Sequence, residues 1–395
     1  MMRVEFFKHN IGPEEKWSVS EVLGTVFLTT GDTVARFEEV FAEYIDADAC
    51  IGLTSCTAAL HLSLLALGIG QGDEVITTPM TFVATSLAIL HAGATPVWVD
   101  VEPDTGNLNA ELIEDAITER TKAILPVHLY GHMCDMKRIR AIADRHRLFI
   151  IEDAAHALEG WRDGIRVGEL SDAACFSFYA TKSITCGEGG AVTTNSTELA
   201  EKIRILRLHG IDTEAADRYT KEYRHWDLMD IGWKYNMDNI QAALLLPQLR
   251  RVDTRWKRKL EIAFQYRERL SSIQGLRMPI VADATDHAYH LFTIWVDPDS
   301  RDEIITRLQQ KGVGVAVNYR SINLLSKFQE RFGKGRGSYP ESERIGDSTI
   351  SLPLYPRLTD EEVEYVISSV KDIVSSSDYS HADHMHRPSQ ALVQV

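Results

Sequence analysis

Apolar positions in the first half of the chain fall in short continuous runs, and longer amphipathic stretches separate them. The runs at 50–55, 74–78, 95–101, 123–127, 149–152, 174–178 and 191–194 have the length and composition of strands buried on both faces. Between them, 57–67, 82–92 and 136–145 carry helical spacing. Strand and helix in alternation predict an α/β fold, with a mostly parallel central sheet covered on both sides.

After Gln241 the pattern changes. Residues 242–272 read as one long charged helical stretch; a strand at 290–296 and helices at 301–311 and 359–374 follow. This half predicts a smaller α+β domain. The boundaries expected are a large domain over 1–251, a small C-terminal domain over 252–375 and a disordered tail over 376–395. The tail holds His381, Asp383, His384 and His386, but its polar, aperiodic sequence provides no scaffold to fix metal-ligand geometry.

Composition narrows the function. The formal net charge of −15 disfavours broad nucleic-acid binding, which needs Lys and Arg to neutralise phosphates. Five cysteines without a CxxC pair argue against a disulfide framework and a zinc site, and fit a reducing compartment. The first residues have no signal-peptide core and no apolar stretch reaches membrane-spanning length, so a cytoplasmic protein is expected.

Four segments carry chemistry. In AACFSFYATKSITCGEGGAV, residues 173–192, Lys182 follows a strand end, where open α/β sheets place their ligands. Lysine is the residue that forms Schiff bases with carbonyl cofactors. In IIEDAAHALEG, residues 150–160, Asp153 ends another strand and offers the carboxylate that a pyridoxal ring nitrogen requires. The interval of 29 residues from Asp153 to Lys182 leaves room for one connection and one strand, so both can stand at neighbouring strand ends. In CIGLTSCTAALHLSLLALGIG, residues 50–70, small residues precede a helix start and leave amides open to a phosphate. In TPMTFVATS, residues 78–86, Phe82 could stack on an aromatic ring. Each has a plainer reading alone: a solvated loop lysine, helix caps at Asp153, Ser55 or Thr57, and a core phenylalanine.

Together with GATPVWVDV and GWKYNMDNIQAALLLPQL, these segments resemble the DegT/StrS-type (DegT/DnrJ/StrS) nucleotide-sugar aminotransferases. The likeness runs from FLTTGDTVARFEEVFAEY near residue 27 to ISLPLYPRLTDEEVEYVI near residue 367. Within the family, the chain looks most like the branch of the 4-amino-4-deoxy-L-arabinose aminotransferase.

The resemblance implies the aspartate-aminotransferase fold (fold type I), pyridoxal 5′-phosphate as cofactor and a homodimer. It implies L-glutamate as amino donor, released as 2-oxoglutarate, and a nucleotide-linked keto sugar as acceptor, aminated at C4. Lys182 matches the Schiff-base lysine, Asp153 the ring-nitrogen carboxylate, His156 the residue beside the ring hydroxyl and Phe82 the stacking aromatic. Cys56, Thr57 and Ser177 match phosphate contacts. Lys234 and Asn236 match the block that reaches the partner's cofactor phosphate, and Thr30, Glu188 and Tyr319 are candidate substrate contacts. Three departures stand out. Cys56 occupies a position that is often Gly, Lys234-Tyr235-Asn236 replaces a common Asn-x-Arg, and Asn318 and Asn323 lie where many relatives carry histidines. Alternative readings are a C3-acting enzyme, a sugar dehydratase and a non-catalytic protein on this fold. The dehydratase reading expects histidine in place of Lys182.

Overall fold

The computed structural model describes residues 2–212 and 225–375; the tail expected over 376–395 lies outside the described residues. Twelve strands occur among them: β1 Ala49–Leu53, β2 Glu74–Thr77, β3 Thr95–Trp98, β4 Thr121–Ile124, β5 Phe149–Asp153, β6 Trp161–Arg162, β7 Ile165–Arg166, β8 Ala173–Ser177, β9 Gly190–Thr194, β10 Thr285–Asp286, β11 Phe292–Trp295 and β12 Thr349–Leu352. Seven form the main sheet, in the order β1-β9-β8-β5-β4-β2-β3. Only β9 runs antiparallel to its neighbours, so the other six end at one edge.

That edge positions the site. β1 runs into the helix Cys56–Ala66, β5 ends on Asp153, and β8 ends on Ser177, five residues before Lys182. Main-sheet strands such as β2 and β9 are buried at every position, which is why they read as unbroken apolar runs. The helix Cys56–Ala66 is buried almost all round, whereas Met136–His146 turns one stripe, Met136, Ile139, Ile142 and Ala143, to the core. Separate apolar clusters lie on the two faces of the main sheet. Phe37, Phe41, Phe176 and Phe178 belong to one, and Leu60, Leu62 and Ile151 to the other.

The long helical stretch expected over 242–272 is two helices, Asn239–Leu249 and Val252–Leu270. Arg250 and Arg251 interrupt them. Arg251 turns to pair with the buried Glu15, which Arg255 approaches at 3.7 Å. The second helix packs into another core with β11, β12 and the helix Asp360–Ser375. Val4 joins this core and bridges to Val313. No helix among the described residues is long and apolar enough to cross a membrane.

Candidate active site

Asp153 is buried, and each of its carboxylate oxygens is held. Thr85 Oγ1 donates to Oδ2 at 2.8 Å, and the Ala155 amide donates to Oδ1 at 3.2 Å. The Cys56 thiol lies 3.9 Å from Oδ1 and 3.4 Å from the Cys175 carbonyl oxygen. Burial pushes the Asp153 carboxyl above its ordinary range, although Thr85, Ala155 and the charge of Lys182 oppose the rise. A buried carboxylate held in this way has lone pairs to spare for one positively charged donor.

Lys182 is half-buried, and its Nζ lies 3.4 Å from His290 Nε2. Burial lowers its pKa to about 8, against the pull of Cys56 and Asp153. A lysine so shifted is partly neutral near pH 8, as both a nucleophile and a proton-moving base must be.

His156 is fixed by a backbone donor. The Tyr130 amide donates to Nδ1 at 3.2 Å, so this nitrogen carries a lone pair and the ring proton sits on Nε2. Nε2 then donates to the Tyr319 hydroxyl at 3.1 Å. Burial, with the positive charge of Lys182, holds the imidazole well below its ordinary pKa, so it stays neutral. The His290 ring lies 4.3 Å from the His156 ring, centroid to centroid.

Phe82 is the N-cap residue of the helix Val83–His91 and is 57% exposed. It precedes Thr85 by three residues, so the two share a helix face and Phe82 stands on the side that reaches Asp153. Its ring is 5.9 Å from that of Tyr319. Ser177 is half-buried and pairs in register with Gly190. Thr57 lies in the first turn of Cys56–Ala66, where Ser55 Oγ caps the Ala58 amide at 3.1 Å. The earlier amides, of Cys56 and Thr57, have no intrahelical partner. β9 closes tightly over this turn: a Cβ on Gly190 would sit 2.3 Å from the Ser55 carbonyl carbon and 2.4 Å from the Cys56 nitrogen.

The remaining expected residues form other groups. Lys234 donates to Asn236 Oδ1, Asn236 Nδ2 donates to Thr30 Oγ1 at 2.7 Å, and Thr30 donates to the Met237 carbonyl at 2.7 Å. Asn236 also bridges to Leu53 on β1. Glu188 is exposed, and its carbonyl accepts from Gln241 Nε2 at 2.6 Å. Among the described residues, no hydrogen bond joins these groups to Asp153, His156 or Lys182. Behind Lys182, the buried Lys259 donates to Glu159 at 3.0 Å, Ser183 at 3.0 Å and the Ala288 carbonyl at 2.9 Å.

Sequence reasoning missed Thr85, His290 and Tyr130. Each reaches the site through a partner between 26 and 108 residues away, and no local spacing signals such a contact. Thr85 alone left a trace, one helical turn beyond Phe82.

The arrangement fits a pyridoxal cofactor. A helix start with open amides offers the phosphate end, a buried carboxylate the ring nitrogen, and a pKa-lowered lysine the aldehyde carbon.

Known proteins agree. The model of the DegT/DnrJ/EryC1/StrS aminotransferase family matches residues 9–371. The spore coat polysaccharide biosynthesis protein SpsC of Bacillus subtilis is 43% identical over 374 residues, covering 93% of this chain and 96% of that protein. The sugar aminotransferase Spr1654 of Streptococcus pneumoniae, in its pyridoxamine-phosphate form, superposes with a TM-score of 0.90 at 31% identity, covering 94% of this chain and 99% of that one. DesV of S. venezuelae superposes with a TM-score of 0.85 at 37% identity, over 92% and 95% of the two chains. Membership at this coverage carries the aspartate-aminotransferase fold and pyridoxal-phosphate-dependent transamination with it, and the chain belongs to the DegT/DnrJ/EryC1/StrS aminotransferase family.

Proposed function

We propose that this aminotransferase moves the amino group of L-glutamate to C4 of a nucleotide-linked keto sugar, a 4-keto-6-deoxyhexose or a related sugar, and works in the cytoplasm as a homodimer. The observation that carries the reading is the placement of Asp153 at the end of β5 and of Lys182 five residues past the end of the neighbouring β8, with neutral His156 held by the Tyr130 amide and the Tyr319 hydroxyl.

When bound, the cofactor supplies an aldehyde and a ring that takes up an electron pair. Lys182 would hold the aldehyde carbon and, as a neutral amine, would move the proton at the substrate carbon. Asp153 keeps the ring nitrogen protonated. His156 would stand beside the ring hydroxyl, Phe82 would stack on the ring, and Cys56, Thr57 and Ser177 would hold the phosphate. Thr30, Glu188 and Tyr319 contact the sugar nucleotide.

Lys234 and Asn236 serve the partner's phosphate in this reading. The apolar exposure beside them supports an interface: Val26 is 89% and Ile231 72% exposed. His156 supports C4, because C4-acting members of the family typically read Glu-Asp-Ala-Ala-His here, while C3-acting members more often have Gln. Likeness to the 4-amino-4-deoxy-L-arabinose aminotransferase branch points the same way. The relative in spore coat polysaccharide synthesis supports an acceptor sugar destined for a polysaccharide.

The test is a panel of UDP-, dTDP- and GDP-linked 4-keto and 3-keto sugars with glutamate, followed by NMR of the product. Nitrogen at C3 refutes the regiochemistry, and an active monomer in sedimentation refutes the shared site.

A further inference from the structure

Lys259 stands where its helix should be apolar. The helix Val252–Leu270 buries a stripe of Val252, Arg255, Lys259, Ile262, Tyr266 and Leu270, spaced three or four residues apart. Lys259 lies within the stripe and is 4% exposed. Burying an ammonium is costly unless its donors are met, and an apolar side chain of similar volume fills such a place at no greater cost. The position therefore calls for a reason other than packing.

The partners of Lys259 supply one. Its Nζ donates to Glu159 Oε1 at 3.0 Å, to Ser183 Oγ at 3.0 Å and to the Ala288 carbonyl at 2.9 Å. Three acceptors match the three N–H groups of an ammonium. Each acceptor lies on a different segment, and each segment carries one residue of the group around Lys182. Ser183 follows Lys182 directly, Ala288 precedes His290 by two residues, and Glu159 follows His156 by three. The Ala288 amide donates in turn to the Gly131 carbonyl at 2.9 Å. Where the segments meet, Lys182 Nζ lies 3.4 Å from His290 Nε2, and the His290 ring lies 4.3 Å from that of His156. Burial, with the charges of Lys182 and Lys259 added to it, holds His290 well below its ordinary pKa. A neutral imidazole can take a hydrogen bond from Lys182, which an imidazolium could not.

We propose that Lys259 is a positioning residue for the transamination: its ammonium ties together the segments of Lys182, His290 and His156 and so sets where Lys182 Nζ stands. It acts through Ser183 and Ala288 and not on the reacting atoms. The role rests on Lys182 being the amine that holds the cofactor, and it is indifferent to which sugar is aminated.

The test uses the full-length protein. Removing the lysine alone would abandon Glu159, so the variant is Lys259→Met/Glu159→Leu, which replaces the ion pair with apolar side chains of similar volume. It is expected to fold, with a melting temperature within a few degrees of wild type. Borohydride-trappable capture of pyridoxal phosphate by its apoprotein should plateau at a rate roughly 10- to 100-fold below wild type, and kcat should fall with it, as for an amine displaced by about an ångström. The Kd for 4′-deoxypyridoxine phosphate, which lacks the aldehyde, should stay within about threefold of wild type. Ser183→Ala removes one acceptor and leaves the ion pair; it should lower the same plateau by roughly threefold, and it serves if the double variant fails to fold. An unchanged plateau in the folded double variant, or in Ser183→Ala if only that variant folds, overturns the positioning role. So does a loss shared by melting temperature, analogue Kd and plateau alike, which is what bracing alone would give. Mass spectrometry of the reduced wild type separates the two readings. A label on Lys182 with unchanged variant rates sinks this role alone, and a label elsewhere sinks the assignment of Lys182 beneath it.

Discussion

In the function proposed above, the two ends of the cofactor site are built differently. At the ring end, Asp153 is held by Thr85 and Ala155, and His156 by Tyr130 and Tyr319, before any ligand arrives. At the phosphate end, Ser55 satisfies the amide of Ala58, while those of Cys56 and Thr57 stand open at the helix start. The ring end is therefore pre-organised and its proton positions are set by the protein. The phosphate end is completed by the charge of what binds. Damage at the first should appear in the rate of reaction, and damage at the second in cofactor affinity.

Lys182→Ala tests the contrast most severely. Turnover is expected to fall by at least about 10³-fold, since no other amine serves the aldehyde carbon. Borohydride treatment, followed by mass spectrometry, should then find no label on the chain. Turnover near wild type would remove the lysine from the mechanism.

Asp153→Asn should keep cofactor binding but lose roughly 10²-fold in kcat, because a neutral amide cannot balance a protonated ring. A loss confined to affinity would erase the distinction between the ends.

Gly190→Ala strikes the phosphate end. Its Cβ would force the first turn of Cys56–Ala66 aside. An overpacking cost of about 1–3 kcal/mol corresponds to a roughly 10- to 100-fold weaker cofactor Kd by absorbance titration. The kcat at saturating cofactor should barely change.

Acidity gives a finer test. Burial lowers Lys182 to about 8, so the neutral amine gains about tenfold per unit as pH rises toward that value and levels off above it. The rate of borohydride-trappable capture by apoprotein should follow this curve. A rate still climbing toward pH 10 would mean an ordinary lysine. Smallest of all, Cys56→Gly should change affinity by less than about threefold, because a thiol is a weak donor and the amide survives.

The strand ends carrying Asp153 and Lys182 were legible because parallel strands buried on both faces leave uninterrupted apolar runs. Where an apolar run outlasted its pairing, the expectation overshot. Val99–Val101 reads as strand, yet β3 ends at Trp98 and Val101 instead bridges to Leu108. The break at Arg250–Arg251 was hidden because both residues suit a helix; what divides the stretch is the buried Glu15, far earlier in the chain. Tyr130 was invisible for a different reason. Its importance lies in a main-chain conformation and in main-chain bonds to His156, His290 and Leu291, neither of which leaves a local pattern.

Lys259 bears on whether the chain can be divided. It belongs to the helix Val252–Leu270, yet its three bonds reach Glu159, Ser183 and Ala288. A fragment ending at residue 251 would keep Glu159, whose Oε2 already has no partner among the described residues, and lose the one cation that pairs with it among them. An abandoned buried carboxylate costs about 3–5 kcal/mol, a large part of a domain's stability. The segment after Lys182 would lose its brace at Ser183 as well. Separate cores do not make these halves interchangeable parts: a chimera that borrows the second half from a relative must bring a cation at position 259, or the join will fail beside Lys182.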